Sequence, residues 1–184
     1  EKVATLPKRY YGASATLALV YRPLAKASET NSIVVMKHIG DSRVYHFSAN
    51  TKTWRCLTRD HNLLNQLIDE KAGNENRPVD FSEYNQDGMA SPMYALTDCL
   101  IADSDLDSNP MPAYDSQTLK VSSGDCLVVC TDGVHDLVLC DEWQGIDKHT
   151  DLQAWLKQLR KQIYASKGRA YDNATAILVR FDEH

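Results

Sequence analysis

Four short apolar segments separated by polar turns fill the first third of this chain and restrict the folds that it can adopt. The segments cover residues 13–22, 32–39, 44–48 and 53–57, and each has the length of a β-strand. Polar residues connect them, and the second and third segments are joined by the stretch Gly-Asp-Ser-Arg at residues 40–43. This arrangement predicts a meander of antiparallel strands with a hairpin turn at that stretch.

The period of the apolar residues changes after this meander. Apolar side chains recur near helical spacing over residues 61–72 and again over residues 150–164, so both segments are predicted to be helices. Further strands are predicted at residues 117–121, 125–131 and 175–181. Antiparallel strands with segregated helices are typical of the α+β class, so we expect a two-sheet core with helices outside it, in a single domain across residues 1–184.

Composition and charge exclude several classes of function. The net charge of −5 argues against nucleic-acid binding, which would require a basic face. No apolar run approaches the roughly 20 residues that a membrane helix needs, and the start of the chain has no apolar core of a signal peptide. Five cysteines without a C-x-x-C pair are typical of a reduced protein. We therefore expect a cytoplasmic protein whose thiols are core residues rather than zinc ligands.

Four aspartates stand where an apolar strand meets a turn, and together they indicate a metal site. They are Asp41, Asp60, Asp132 and Asp172. One such aspartate is a common turn residue, but several that converge in space would repel one another unless a cation lay between them. Carboxylates suit Mg²⁺ and Mn²⁺. The pattern predicts an oxygen-ligand metal centre at one end of the β-rich core, of the kind that activates water to hydrolyse a phosphate ester.

Other candidate motifs are weaker. The acidic run from Asp103 to Asn109 resembles half of a calcium-binding loop, but Ser108 stands where such a loop needs glycine, so we expect a solvated loop. The histidines show no H-x-x-x-H spacing, and the chain has neither a G-x-S-x-G elbow nor a P-loop. No cysteine is marked out as a nucleophile by its neighbours.

Taken in chain order, the strand-end motifs resemble the protein phosphatase 2C family, the metal-dependent PPM-type serine/threonine phosphatases. The motifs are GASA at 12–15, IGDSRVY at 39–45, LTRDH at 57–61, CTDGVHD at 130–136 and DNATAILV at 172–179. The resemblance spans nearly the whole chain. It implies two antiparallel β-sheets packed as a sandwich and flanked by α-helices, with the metals at one end of the sandwich.

The resemblance also implies an activity and a set of site residues. Asp132 and Asp172 match ligands of the family's main two-metal site, and Asp60 matches the aspartate that holds a further metal together with Asp132. The implied cofactors are two or three Mg²⁺ or Mn²⁺ ions, and the implied reaction is attack of a metal-bridging water on a phosphoprotein substrate. In the hairpin, Asp41 is expected to order the turn and Arg43 to form a local ion pair, for which Asp41 is the candidate partner. Residues 74–89 match the variable flap beside the substrate groove.

The chain departs from the family pattern at its N-terminal end. The family's metal-bridging Asp-Gly, its phosphate-binding arginine and its general acid have no match before Gly12. We expect the sequence to be the remainder of a longer phosphatase that lacks the family's N-terminal portion. The alternative is a catalytically inactive binding module, a pseudophosphatase. The sequence leaves open the oligomeric state and the choice between Mg²⁺ and Mn²⁺.

Overall fold

A computed structural model describes residues 14–15, 17–21, 32–75, 92–101, 114–166 and 173–182. The strands are β1 (Ser14–Ala15), β2 (Leu17–Tyr21), β3 (Ser32–Ile39), β4 (Arg43–Ser48), β5 (Thr53–Cys56), β6 (Leu100–Ile101), β7 (Asp115–Val121), β8 (Cys126–Cys130) and β9 (Ala176–Arg180). The helices are α1 (Leu63–Glu75), α2 (Asp132–His135) and α3 (Leu152–Ala165). Short 3-10 turns lie at Pro92–Tyr94 and Cys140–Glu142.

Two antiparallel sheets form the centre of the fold. One has the strand order β5-β4-β8-β9 and the other has the order β2-β3-β7, while β1 and β6 form a separate two-stranded ladder. Every pairing in the two sheets is antiparallel. The predicted α+β class with two antiparallel sheets is therefore confirmed.

Alternating side chains divide the core into two layers. Between the sheets, Val34 and Met36 of β3 pack with Val44 of β4 and Leu127 of β8. The alternate residues of β4 and β8 face the other side of the four-stranded sheet, because successive side chains of a strand point to opposite faces. They include Tyr45, Phe47, Cys126, Val128 and Cys130, and they pack with Trp155 and Leu159 of α3.

The outer layer explains why α3 lies on the four-stranded sheet. Its apolar stripe, predicted from the spacing of the sequence, brings Trp155 against Trp54 and Trp143, with ring centroids 5.5 and 5.8 Å away. Asp151 begins the helix by accepting hydrogen bonds from the backbone N–H groups of Gln153 and Ala154. The helix is thereby fixed at its start and buried along one face.

The cysteines in this layer behave as core residues, as predicted. Cys126 and Cys130 are buried, and burial raises the pKa of both thiols to about 12. Both therefore stay protonated and unreactive near neutral pH. Within the described part of the chain, no helix is both long enough and apolar enough to cross a membrane.

Several predicted boundaries differ from the observed ones. The first helix runs through Gly73 to Glu75, and β7 begins at Asp115 rather than at residue 117. The short helix α2 was missed because four residues are too few to show a helical period. The calcium-loop-like run and almost all of the predicted flap at 74–89 lie outside the described residues.

Candidate metal centre

The turn between β3 and β4 is held in place by the segment that follows β5. Gly40 has a φ of 93°, a left-handed conformation that favours glycine. Its N–H donates to Nδ1 of His61 over 3.1 Å, and its carbonyl oxygen accepts from the backbone N–H of His61 over 2.9 Å. Because His61 directly follows Asp60, these two bonds bring Asp60 to the same end of the sheets as Asp41.

Arg43 begins β4 and forms an ion pair with Asp60. Its Nε and one terminal nitrogen donate to the two carboxylate oxygens of Asp60 over 2.8 and 2.7 Å. Asp60 is only 7% exposed. Burial opposes the charge of Arg43, but its hydrogen bonds to Asp60 more than offset this effect and raise the pKa of the guanidinium. The expected local pair with Asp41 is therefore wrong: the partner lies 17 residues further along the chain.

Asp41 faces the carboxylate that begins α2. Burial raises the pKa of Asp41, and the negative charges of Asp132 and then Asp60 raise it further. Asp41 is thus repelled by two other carboxylates that sequence reasoning placed at strand ends. Only Asp60 among them is neutralised by an arginine within the described residues. The remaining repulsion between Asp41 and Asp132 is the electrostatic condition that a bound cation relieves.

Helix α2 places Asp132 next to the turn. Asp132 is the first residue of the helix, and one of its carboxylate oxygens accepts from the N–H of Gly133 over 2.8 Å. One turn later, Nε2 of His135 lies 3.0 Å from the backbone oxygen of Asp41 and donates to it. The two carboxylate-bearing segments are therefore joined through backbone, and the carboxylate of Asp41 takes no part in the link.

Asp172 lies outside the described residues, but the residue after it is fixed beside α2. The hydroxyl of Thr131 donates to the carbonyl oxygen of Asn173 over 3.1 Å. Gly133 packs so closely on Asn173 that a Cβ on Gly133 would lie 2.7 Å from the same oxygen. A glycine is therefore required where the start of α2 passes the segment that carries Asp172.

This geometry can be compared with known proteins. No model of a known protein family matches the chain. The chain is 28% identical over 175 residues to a "Putative protein phosphatase" of Mycoplasma genitalium, a match that covers 94% of this chain and 60% of that protein. The structure of PppA, a key regulatory component of T6SS in Pseudomonas aeruginosa, is similar with a TM-score of 0.62 and 21% identity, over 91% of this chain and 57% of PppA.

A third similar structure is the catalytic domain of the serine/threonine protein phosphatase PstP in complex with two manganese ions. It has a TM-score of 0.56 and 17% identity, over 90% of this chain and 59% of that domain. The chain has the fold of the PPM-type serine/threonine phosphatases. The resemblance drawn from the strand-end motifs is thereby confirmed. The chain spans about three fifths of the length of these relatives.

A second polar cluster in this PPM-type fold was missed by sequence reasoning. His38, His61 and Asp115 each offer a ligand atom, and these atoms lie within 4.8 Å of one another. The strands explain the cluster, because the register of β3 with β7 places His38 opposite Asp115. The available signal was a histidine on the inward-facing side of an apolar strand, but its partners are 23 and 77 residues away in sequence and show no ligand spacing.

His38 is buried and has few hydrogen-bond partners. The residue is 1% exposed, and the backbone of Ser42 is its one hydrogen-bond partner among the described residues, which leaves at least one ring nitrogen without a partner. Burial and then the neighbouring His61 lower the pKa of His38, against a smaller opposing effect from its hydrogen bond with the backbone of Ser42. The imidazole is therefore neutral near pH 7, which is the form that binds metals.

Proposed function

We propose that the complete protein is a metal-dependent serine/threonine phosphoprotein phosphatase that uses Mg²⁺ or Mn²⁺. The observation that carries this proposal is the electrostatic interaction of Asp41 with Asp132 and Asp60 at one end of a PPM-type fold, where burial and then these two acidic neighbours raise the pKa of Asp41. Carboxylate oxygens are the donors that Mg²⁺ and Mn²⁺ prefer. When bound, such cations would lower the pKa of water and hold the phosphate oxygens.

The residues divide into ligands and supports in this proposal. Asp132 and Asp172 are proposed as ligands of the main site, Asp132 from the start of α2 and Asp172 from the segment next to Asn173. Asp60, predicted to hold a further metal with Asp132, can do so only if a cation competes with Arg43 for its two oxygens. Asp41 faces Asp132 and has no guanidinium partner in the part of the chain described, so it is the better candidate for that role.

The proposed substrate, metal and cellular location are supported by different observations. A phosphoprotein substrate is supported by the printed names of the relatives, which are protein phosphatases. Manganese is supported by the two ions bound in PstP. A reducing, cytoplasmic location is supported by the five cysteines, all of which are free thiols in the described residues. The inactive binding module is not favoured, because a protein that only binds a partner gains nothing from carboxylates that repel one another.

The test is hydrolysis by the full-length protein. We expect hydrolysis of p-nitrophenyl phosphate and of phosphoserine or phosphothreonine peptides that depends on added Mn²⁺ or Mg²⁺. Asp132→Asn should abolish it, whereas Asp141→Asn, a matched change at an exposed aspartate, should not. A folded full-length protein that binds Mn²⁺ but hydrolyses neither substrate would contradict the proposal and favour the inactive module.

A further inference from the structure

The cluster of His38, His61 and Asp115 has the geometry of an open metal site. Nε2 of His61 lies 3.2 Å from a carboxylate oxygen of Asp115. Two ligand atoms bound to one tetrahedral zinc ion at 2.0–2.1 Å are separated by about 3.3 Å. This pair is therefore already at the spacing of two ligands, and a nitrogen of His38 completes a set whose members lie within 4.8 Å.

The burial of His38 indicates that the cluster binds something. A buried polar side chain normally has a hydrogen-bond partner, and an unsatisfied one destabilises the fold by about 1–3 kcal/mol. His38 is 1% exposed, and its one hydrogen-bond partner among the residues described is the backbone of Ser42, so at least one ring nitrogen lacks a partner. A metal bond would give one ring nitrogen of His38 a partner. The ring centroids of His38 and His61 are 5.0 Å apart, so both rings can contribute to one site.

Solvent reaches the cluster from the other side. His61 and Asp115 line a cavity of about 500 Å³, which is also lined by Asp98 and Asn65. The side chain of Asp115 is 56% exposed and that of His61 is 16% exposed. A cation can therefore enter from this cavity, and water can fill the fourth position of a tetrahedral site.

The donor set selects a different class of metal from that of the carboxylate centre. Two imidazoles and one carboxylate suit zinc and similar transition metals, whereas sites made of carboxylates and water suit Mg²⁺ and Mn²⁺. None of the three residues is among the aspartates Asp41, Asp60, Asp132 and Asp172 that were predicted at strand ends.

The hydrogen bonds of His61 place its ring proton on the nitrogen that would bind the metal, so metal binding must move this proton. Its Nδ1 accepts the N–H of Gly40, so the ring proton of neutral His61 is on Nε2 and is directed at Asp115. A metal bond at Nε2 requires that proton to leave this nitrogen. If the proton is taken up at Nδ1, no net proton is released, but Nδ1 can no longer accept from Gly40.

We propose that His38, His61 and Asp115 form a binding site for a zinc-class transition-metal ion, and that metal binding replaces the hydrogen bond from Gly40 to His61. The second bond between the two residues, from the backbone N–H of His61 to the oxygen of Gly40, is unaffected by the ring. The turn thus stays attached when the metal binds, but its glycine N–H loses its acceptor.

Cobalt(II) is the probe for the site, because its visible absorption distinguishes tetrahedral from octahedral coordination. The full-length protein is titrated with Co²⁺ in excess Mg²⁺, which occupies carboxylate-type sites, and Zn²⁺ is then added as a competitor. We expect tetrahedral absorption bands that Zn²⁺ removes. His38→Gln and Asp115→Asn should each weaken Co²⁺ binding by about tenfold or more, given that loss of an outer partner alone costs about 10–100-fold. Asp98→Asn, a matched carboxylate change in the same cavity, should not weaken it.

A second measurement tests the exchange of hydrogen bonds. The amide resonance of Gly40 should shift on Zn²⁺ binding in the parent protein, and the same shift in Asp115→Asn should require at least about tenfold more Zn²⁺. Octahedral bands alone, or unchanged Co²⁺ affinity in Asp115→Asn, would overturn the site. A Gly40 resonance that does not move at saturating Zn²⁺ would overturn the role given to His61. Asp115 is exposed, so its variant remains informative if His38→Gln does not fold.

Discussion

Replacing Arg43 by alanine would leave the buried carboxylate of Asp60 without its guanidinium partner. Breaking a buried ion pair by removing one member destabilises a protein by about 3–5 kcal/mol, because the other charge remains buried. Asp60 is 7% exposed but Arg43 is 29% exposed, so water can partly replace the lost donor. We therefore expect Arg43→Ala to lower the free energy of unfolding by about 3 kcal/mol, the lower end of that range. Urea unfolding of the full-length protein at pH 7 measures it.

The chain supplies a matched control for this prediction. Arg59 donates to both oxygens of Asp69 over 2.7 Å, but the two side chains are 48% and 63% exposed. Exposed pairs contribute about 0–1 kcal/mol, so Arg59→Ala should have a much smaller effect. In a double-mutant cycle, Arg43→Ala with Asp60→Asn should be less destabilised than the sum of the single changes. Equal losses for Arg43→Ala and Arg59→Ala, or an additive cycle, would refute the reasoning.

Three further predictions concern the candidate metal centre. Asp132→Asn should weaken Mn²⁺ binding, measured by calorimetry, without lowering the melting temperature of the metal-free protein, because shape is retained and only charge is lost; unchanged affinity would exclude Asp132 as a ligand. Because the pKa of Asp41 is raised in the folded state, its ionisation opposes folding once the pH exceeds the ordinary value of 3.8. Asp41→Asn should therefore raise the melting temperature of the metal-free protein at pH 7, and the gain should vanish as the pH falls below that value. Gly133→Ala should lower the free energy of unfolding by about 1–3 kcal/mol, since the alanine Cβ would clash with the backbone of Asn173. Stability equal to that of the parent would show that the segment at Asn173 moves to accommodate the Cβ.

The sequence allowed good predictions wherever one element determines its own pattern. The second strand was predicted at residues 32–39, and the structure has it at Ser32–Ile39. The stripe of the second predicted helix identified the face of α3 that packs on the sheet. In both cases the period of the apolar residues reports burial directly, because each side chain's orientation is fixed by its position in the element.

Partners that depend on register or on tertiary approach could not be predicted in this way. Arg43 was assigned a neighbour in its own turn, whereas its partner Asp60 is placed by the pairing of β4 with β5 and by the two bonds that Gly40 makes with His61. Asp115 meets His38 because β3 and β7 pair, and no local feature of either segment indicates it. Long-range pairing is a property of the assembled sheets.

The turn between β3 and β4 now explains why an arginine begins a strand there. Asp41 lies beside Asp132, and this repulsion favours any movement that separates the two carboxylates. Three attachments oppose that movement: Gly40 to His61, Arg43 to Asp60, and His135 to the backbone oxygen of Asp41. None of these attachments uses the carboxylate of Asp41. The turn can therefore hold two like charges together in the absence of a cation, which is the pre-organisation that a tight divalent-ion site requires.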